Sequence, residues 1–597
     1  MKKKPLLVLY SLVIIAFIIF SHTELYARAG GAGGGGGGGG YSGSGSSGGG
    51  GGSIGFAGMV AFAIVFGGLM ILGRFVDKEE NFLEKLQSDV EDKGKEKFIA
   101  NNPDFNLEIF KEKVNISFIA IQNAWSEKDL TKIRRYISNG VYTRFISQFQ
   151  IMDMLMQTNV LSNIEVLSVY IAKYDEDGPF DVINVQVTAS LYDRFECKNY
   201  PLFNSGGNET FSEYWSFIRK KDHRDKDIYN TEHCPNCGAT LENLGELSKC
   251  AYCDSIVNSG QFDWVLSEIT QAEDYGRRSK LTKKAAIHKK IQALKEAAPD
   301  FSVQSIEDKA SSAYMQIQLS HCKKDLSLIR RFVTDKVYNQ LEAKLPAETE
   351  VFNRLYLKEV NLIDVAKKDG EFILVVSLRS ASQRVIPGKK EHTLKDIFPV
   401  DQQVIMLLTR EFPGNKTAGT LYTHNCPACG GNISNSLDIS CTYCGEHFNL
   451  FKNDWIVSDY MSQDEYEKFY QENKNGMFFS FDPSELDGLV SIKQQVLNNL
   501  MIIVAADGRF DTREKMVMEV IRKKLGYSES TIQEVFELAL FDKLSLQLPN
   551  NKKQETKVLK LMQKIAEADG VLSEDEIIIL DQVGKMRSTY YKPTHHI

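Results

Sequence analysis

The sequence lacks the surplus of positive charge that a nucleic-acid binder needs. Its formal charge is -7, so nothing draws the molecule as a whole toward phosphate, and no nucleic-acid partner is expected. It also lacks the short patterns of common catalysts. The glycine tract from Gly30 to Gly52 follows no strand and has no Gly-Lys-Ser/Thr ending, and neither Gly-x-Ser-x-Gly nor His-Glu-x-x-His occurs. These absences point away from a phosphate-loop enzyme, an elbow-type serine hydrolase and a zinc protease. Cysteine is scarce outside two clusters: eight of the ten fall in them, leaving Cys197 and Cys322 as isolated, semi-buried thiols.

The two clusters read Cys234-x2-Cys237 with Cys250-x2-Cys253, and Cys426-x2-Cys429 with Cys441-x2-Cys444. Two close thiolate pairs, twelve residues apart in the first set and eleven in the second, can converge on one ion as the tetrahedral ligand set that zinc favours. Four cysteine ligands leave no position for water or substrate, so each ion is expected to be structural. Redox-active Cys-x-x-Cys is the alternative; it needs a lowered thiol pKa in a thioredoxin-like setting, and no such setting is visible.

Residues 1–29 carry Lys2, Lys3 and Lys4, an apolar run from Leu6 to Phe20 and the small-residue end Ala27-Arg28-Ala29. This is the layout of a signal peptide or first membrane segment. The Gly/Ser-rich stretch 30–53 buries nothing and is expected to be disordered. Residues 54–73 carry no charge, and the nineteen-residue apolar run from Ile54 to Leu72 is enough to cross a bilayer core of about 30 Å. Arg74 and Lys78 follow directly, whereas the glycine loop has no Lys or Arg, so residue 74 onward is expected inside. The expected location is the inner (cytoplasmic) membrane of a bacterial cell, with the bulk of the chain cytoplasmic and the short Gly-rich segment outside. A reducing compartment keeps the clustered thiols free for metal. Export of the whole chain after cleavage is the alternative, with disulfides then competing.

A repeat emerges from Lys95 onward. Pro103-Asp104-Phe105 recurs as Pro299-Asp300-Phe301, Ile133-Arg134-Arg135-Tyr136 as Ile329-Arg330-Arg331-Phe332, and Asp263-Trp264 as Asp454-Trp455. Within the first copy, Leu107, Phe110, Val114, Phe118, Ile121 and Trp125 mark one face of a helix. Ser126 and Asp129 are placed to cap a following helix that begins at Asp129-Leu130. Ile183, Val185, Val187, Ala189 and Leu191 then alternate with polar residues, as in a strand with one buried face, and Phe372, Leu374, Val376 and Leu378 do so in the second copy. Asp175 to Gly178 and Lys367 to Gly370 read as hairpin turns.

Helices followed by antiparallel strands make an α+β domain. On the opening helix after Asp104-Phe105, the Asp129-Leu130-x-x-Ile133 helix, Trp215-x-Phe217-x-Arg219 and Trp264, both copies resemble the TIM-forty-four-like domain of the mitochondrial import-motor tether. The second copy departs from the pattern, with Val404-Ile405-Met406-Leu407 in place of the Trp215 strand. The resemblance implies two cone-shaped domains of the nuclear-transport-factor-two-like fold, at 95–272 and 297–470. Their four-cysteine zinc ribbons, 231–256 and 423–447, are inserted between the last two strands. A basic linker, 273–296, joins the copies; its Arg277, Arg278, Lys280, Lys283, Lys284, Lys289, Lys290 and Lys295 read as a solvated helix, or as a contact with anionic lipid across 277–295.

The last unit, 485–588, is expected to be an all-α bundle. Ile492, Val496, Leu500, Ile503 and Val504 share a helical face and run into Ala506-Asp507-Gly508, and the pattern returns as Ala568-Asp569-Gly570. It resembles the tellurite-resistance TerB-like domain. Asp511 and Ser573 are placed as helix caps, closed by Glu514 and Glu576. Asp507, Asp511 and Asp569 are alternatively a weak site for a divalent cation.

Three interaction-type units behind one anchor predict a non-enzymatic membrane-anchored scaffold that binds protein partners. By resemblance, its setting is membrane-associated protein handling or envelope stress. Lipid or small-ligand binding in the cone pockets is the alternative, as is a lyase or isomerase drawing an acid/base pair from Asp175, Asp177 and Asp181. His321 beside Cys322 reads as a packing histidine, and His595 and His596 as incidental.

Overall fold

A computed structural model describes residues 94–588, apart from 242–243, 245–247, 272–284, 397–398, 413–424, 434–437, 474–491, 507–511, 550–551, 567–572 and scattered positions between 526 and 543. The signal, glycine-rich and membrane segments expected at 1–73 fall outside the described residues. Among the described residues, no helix is long and apolar enough to cross a membrane.

The first repeat opens with α1, Leu107–Glu127, whose N-terminus is capped by Asn106. Its predicted face is the buried one, with Phe110, Val114, Phe118, Ile121 and Trp125 in the core. The helix ends where Lys128 turns left-handed at φ 53°. The helix expected next, from Asp129-Leu130, is instead a run of turns. Ile133 N–H donates to Leu130 O and Tyr136 N–H to Ile133 O. Only residues 128–138 separate α1 from the next helix, and the first and last of them, Lys128 and Ser138, are caps. Ser126 stays inside α1, donating to Gln122 O and accepting from Leu161 N, while Asp129 holds the turn through Thr131 N. The cap of α2, Asn139–Met154, is Ser138.

Four antiparallel strands follow in the order β1 (Gln157–Asp177), β2 (Phe180–Cys197), β3 (Ser205–Lys220) and β4 (Val265–Gln271). β2 alternates as predicted, and Trp215 and Phe217 of β3 are fully enclosed between the sheet and α1. The inner face of the sheet is thus filled by the repeat's own helix.

The second repeat repeats this order after α3, Ala285–Ala297, with α4 (Val303–Lys323), α5 (Asp335–Ala343), β5 (Val351–Lys368), β6 (Glu371–Ile386), the short β7 (Thr393–Leu394), β8 (Val400–Glu411), β9 (Ile456–Ser462) and α6 (Gln463–Asn473). Corresponding residues make corresponding bonds. Leu266 N–H donates to Tyr136 O and Ser138 N–H to Leu266 O; Val457 N–H donates to Phe332 O and Thr334 N–H to Val457 O. Lys113 pairs with the buried Asp263 at 2.6 Å, and Lys309 pairs with Asp454.

β6 departs from the expected alternation, because it is buried on both faces. Where the first sheet has Asn184 and Ser216, hydrogen-bonded to each other at 2.7 Å on the face away from α1, the second has Val375 and Leu407, and these pack with Ile363, Ile373, Ile405 and Met461 under Tyr466 of α6. The extra apolar face requires a cover, and α6 is that cover.

The two repeats share one continuous core. Their interlock is polar and reciprocal. Asp177, at the β1–β2 hairpin of the first repeat, accepts from Ser302 Oγ and Gln304 N at 2.7 Å each, capping α4 of the second. Asp308 of α4 accepts from Ser138 Oγ at 2.7 Å and Gly140 N at 3.0 Å, capping α2 of the first. Carboxylates at helix N-termini satisfy amides that have no partner inside the helix.

The C-terminal unit comprises α7 (Ile492–Val504), α8 (Thr512–Leu525), α9 (Lys552–Ala566) and α10 (Glu574–Ser588), packed around Leu497, Leu500, Met501, Ile503, Met562, Ile565 and Ile579. The expected box at α10 is present: Ser573 N donates to Glu576 Oε2 at 2.8 Å, and Glu576 N to Ser573 Oγ at 3.2 Å. The unit docks on the second repeat by a short parallel bridge between Val400 and Leu546.

Candidate metal centres

Each cysteine set stands between the last two long strands of its repeat, Cys234–Cys253 between β3 and β4 and Cys426–Cys444 between β8 and β9. In the first, Cys234 Sγ lies 3.7 Å from Cys253 Sγ, and Cys237 Sγ 3.8 Å from Cys250 Sγ. In the second, the corresponding pairs are 3.7 and 3.6 Å apart. Four sulfurs at the corners of a tetrahedron with about 2.3 Å metal–sulfur bonds lie about 3.8 Å from one another. Zinc fits both sets, and these separations are far beyond the roughly 2 Å of a disulfide.

The local chain explains how four thiols come to one point. In each Cys-x2-Cys loop, the main chain folds back on the first cysteine. Cys234 accepts from Gly238 N and donates to Ala239 O; Cys250, Cys426 and Cys441 do the same with Asp254 and Ser255, Gly430 and Gly431, and Gly445 and Glu446. The residue after the second cysteine has φ between 59° and 77° in all four loops, which explains glycine in three of them. Asn236 Nδ2, Gly431 N and Tyr443 N–H point at cysteine sulfurs within 3.5 Å, as suits thiolates held for a cation. Among the described residues, the second ribbon's own core is Cys426, Ile433, Cys441 and Phe448, little apolar surface to hold a fold without metal.

The ribbons rest on the Arg-Arg segments that mark the sequence repeat. Arg135 donates to Tyr229 O at 3.0 Å, and the Tyr136 and Tyr229 rings stack at 4.8 Å. Arg331 lies over the Phe448 ring at 5.0 Å. The ribbons also meet each other, with Lys249 Nζ donating to Asn432 Oδ1 at 2.7 Å.

The remaining sequence candidates are scattered. Asp175 is at the surface, paired with Lys173. Asp177 is the helix cap described above. Asp181 is buried near Arg219; burial pushes its pKa up, opposed by that guanidinium. Each of the three has its own separate partners, and they do not meet as an acid/base pair. His321 stacks on Phe352 at 5.3 Å, with burial lowering its pKa. Burial pushes the Cys322 thiol up to about 12, so neither group of that pair is poised for chemistry. Cys197 is buried and donates to Leu155 O. Within the basic linker, Lys290 pairs with Asp364 at 2.8 Å and Lys295 with Asp177 at 3.1 Å; Arg277, Arg278, Lys280, Lys283 and Lys284 lie outside the described residues. Asp507, Asp511, Asp569, His595 and His596 lie outside them as well.

Sequence reasoning missed the contacts between units. Asp308, Gly140 and Asp401, which pairs with Lys358 and Arg379 and accepts from Ser545 of the helical module, carry no local signal except the change from Ser-Asn-Gly at 138–140 to Thr-Asp-Lys at 334–336.

The molecule is thus a tandem α+β protein with a four-cysteine ribbon, able to hold a metal ion, inserted in each repeat. The family model for the Tim44-like domain matches it over residues 92–229 and 287–396. The match enters both repeats and stops short of both ribbons and of the helical module. No curated protein and no solved structure matches the chain.

Proposed function

We propose that the chain is a non-enzymatic scaffold that gathers protein partners at the cytoplasmic face of a membrane, anchored through residues 54–73. The observation that carries this reading is the interlocked pair of repeats that the Tim44-like family model enters, whose resemblance to the import-motor tether supports protein binding at a membrane. The four-sulfur sites support a structural role for the metal, since a closed ligand shell offers substrate no place. The helical module at 485–588, with its TerB-like resemblance, supplies a further docking surface, and envelope stress is the setting that resemblance favours. Fold-level analogy supports this class of function.

Affinity capture of the full chain from solubilised membranes tests the reading. The expected result is a protein recovered in fixed proportion with the full chain and lost when residues 95–470 are deleted, with the helical module still folded by circular dichroism. Equal recovery of every protein with and without that region would overturn it.

A further inference from the structure

α1 and α4 occupy corresponding places in the two repeats, and their residues correspond at a constant spacing of 196. α4 is buried nearly all round because it receives the first repeat. Gln304 reaches Glu268, Asp308 caps α2, and Lys323 reaches Gln150. The residues of α1 at those three positions are Glu108, Glu112 and Glu127, all exposed. Beside them lie Ile109, 53 % exposed, and the half-buried Ile116, Ile119 and Ala120. The same helix face is therefore an occupied interface in one repeat and an open one in the other.

The open face has uncompensated negative charge. The lysines on and next to α1 are committed: Lys111 to Glu108 at 3.3 Å, Lys113 to Asp263 at 2.6 Å and Lys128 to Asp153. Glu112 and Glu127 have no cationic partner among the described residues. A second copy of the chain is a poor occupant. The side of the second repeat that would have to bind is covered by α6, which packs on β8 and β9 and is tied to Lys344, next to α5, through Glu465 at 3.0 Å. The array is capped at that end and open at α1, as terminal units of repeat proteins are closed or left to bind.

We propose that the outward face of α1, Ile109 and Ile116 flanked by Glu112 and Glu127, is the docking site for a cationic amphipathic helix of a partner protein. Its binding mode is that of α2 on α4. The partner's apolar stripe covers the isoleucines, its lysines or arginines meet the two glutamates, and Glu112 faces its N-terminal amides as Asp308 faces those of α2. The site rests on the scaffold reading and names where one partner binds.

The test uses the full chain in nanodiscs of zwitterionic lipid and a synthetic eighteen-residue leucine/lysine helical peptide carrying a benzophenone. Photo-cross-links are expected on residues 108–127, with affinity falling about tenfold in the Glu112→Lys/Glu127→Lys variant, the scale of a few reversed surface pairs. Asp335→Lys, on the exposed surface of α5, should leave binding unchanged. Cross-links elsewhere, equal binding of the charge-reversed variant, equal binding of a matched peptide with glutamate in place of each lysine, or self-association abolished by Glu112→Lys would each overturn the site. Membrane capture with the same double variant separates this failure from that of the scaffold. Partners retained undiminished would refute the α1 site and leave the scaffold standing.

Discussion

The Asp308 carboxylate accepts the main-chain N–H of Gly140 at 3.0 Å, from the other repeat. It approaches so closely that a Cβ at position 140 would lie 1.9 Å from Asp308 Oδ1. Gly140→Ala must therefore displace a buried carboxylate, and is expected to destabilise the paired repeats by about 1–3 kcal/mol. Asp308→Ala leaves a buried amide without a partner at a cost of about 1–3 kcal/mol. Glu112→Ala, at the corresponding exposed position, is expected to change stability by less than about 0.5 kcal/mol. Urea unfolding followed by tryptophan fluorescence distinguishes the three; equal midpoints for Gly140→Ala and Glu112→Ala would contradict the interlock.

The same contact sets a pH dependence. Burial raises the Asp308 pKa to about 7, against hydrogen bonds from Ser138 and Gly140 and the nearby Arg144 cation, with Glu268 adding to the rise. The docked form thus holds a proton that the separated form releases at its ordinary carboxylate value of about 4. This contribution to docking is complete below about pH 4 and is lost as pH rises through 7. Hydrogen exchange at the Val141 amide should be slower at pH 5.5 than at pH 7.5, after correction for intrinsic rates. Asp308→Asn should flatten the difference; an unchanged difference would refute this assignment.

Two zinc ions per chain are expected by elemental analysis. Cys234→Ser and Cys426→Ser should each lose one, because structural zinc supplies on the order of 10 kcal/mol to the segment that binds it. The Lys249–Asn432 contact should pass part of the loss on. Either substitution is expected to expose the other ribbon's cysteines to alkylation faster than in the intact chain, and chelation to expose both sets. Full metal content in either variant would contradict the closed-shell assignment.

The helical module is held by a buried charge cluster. Burial pushes the Asp401 carboxyl up, but Lys358 and Arg379 outweigh it and hold it well below the usual carboxylate range. Ser545 of the module donates to the same carboxylate at 2.7 Å. Asp401→Asn leaves two buried cations poorly paired, at about 3–5 kcal/mol, whereas Ser545→Ala removes one hydrogen bond worth about 1 kcal/mol. Limited proteolysis should release the module from Asp401→Asn far sooner than from Ser545→Ala. Identical cleavage of both variants and the parent would refute the latch.

Much of each repeat is legible because its signals are local. The α1 face, the β2 alternation, the four Cys-x2-Cys loops and the Ser573–Glu576 box each lie within a few consecutive turns or strand residues. The segment from Asp129 misleads because Leu130 and Ile133 have helical spacing in a stretch too short to hold a helix between two caps. The need for a cover over β6 is written in Ile373 and Val375, apolar residues that stand where the alternation of Phe372, Leu374, Val376 and Leu378 expects polar ones. The contacts that join the units were not legible. Asp308 and Gly140 are 168 residues apart, and an aspartate within a helix has no local feature to distinguish a cross-repeat cap from a solvated charge.

Native mass spectrometry of the full chain, gently extracted from membranes, tests the central claim most directly. The account predicts a mass higher by two zinc ions, accompanied by a protein partner that dissociates when residues 95–470 are removed. A chain carrying a stoichiometric lipid or small molecule in those repeats, with no protein partner, would contradict it.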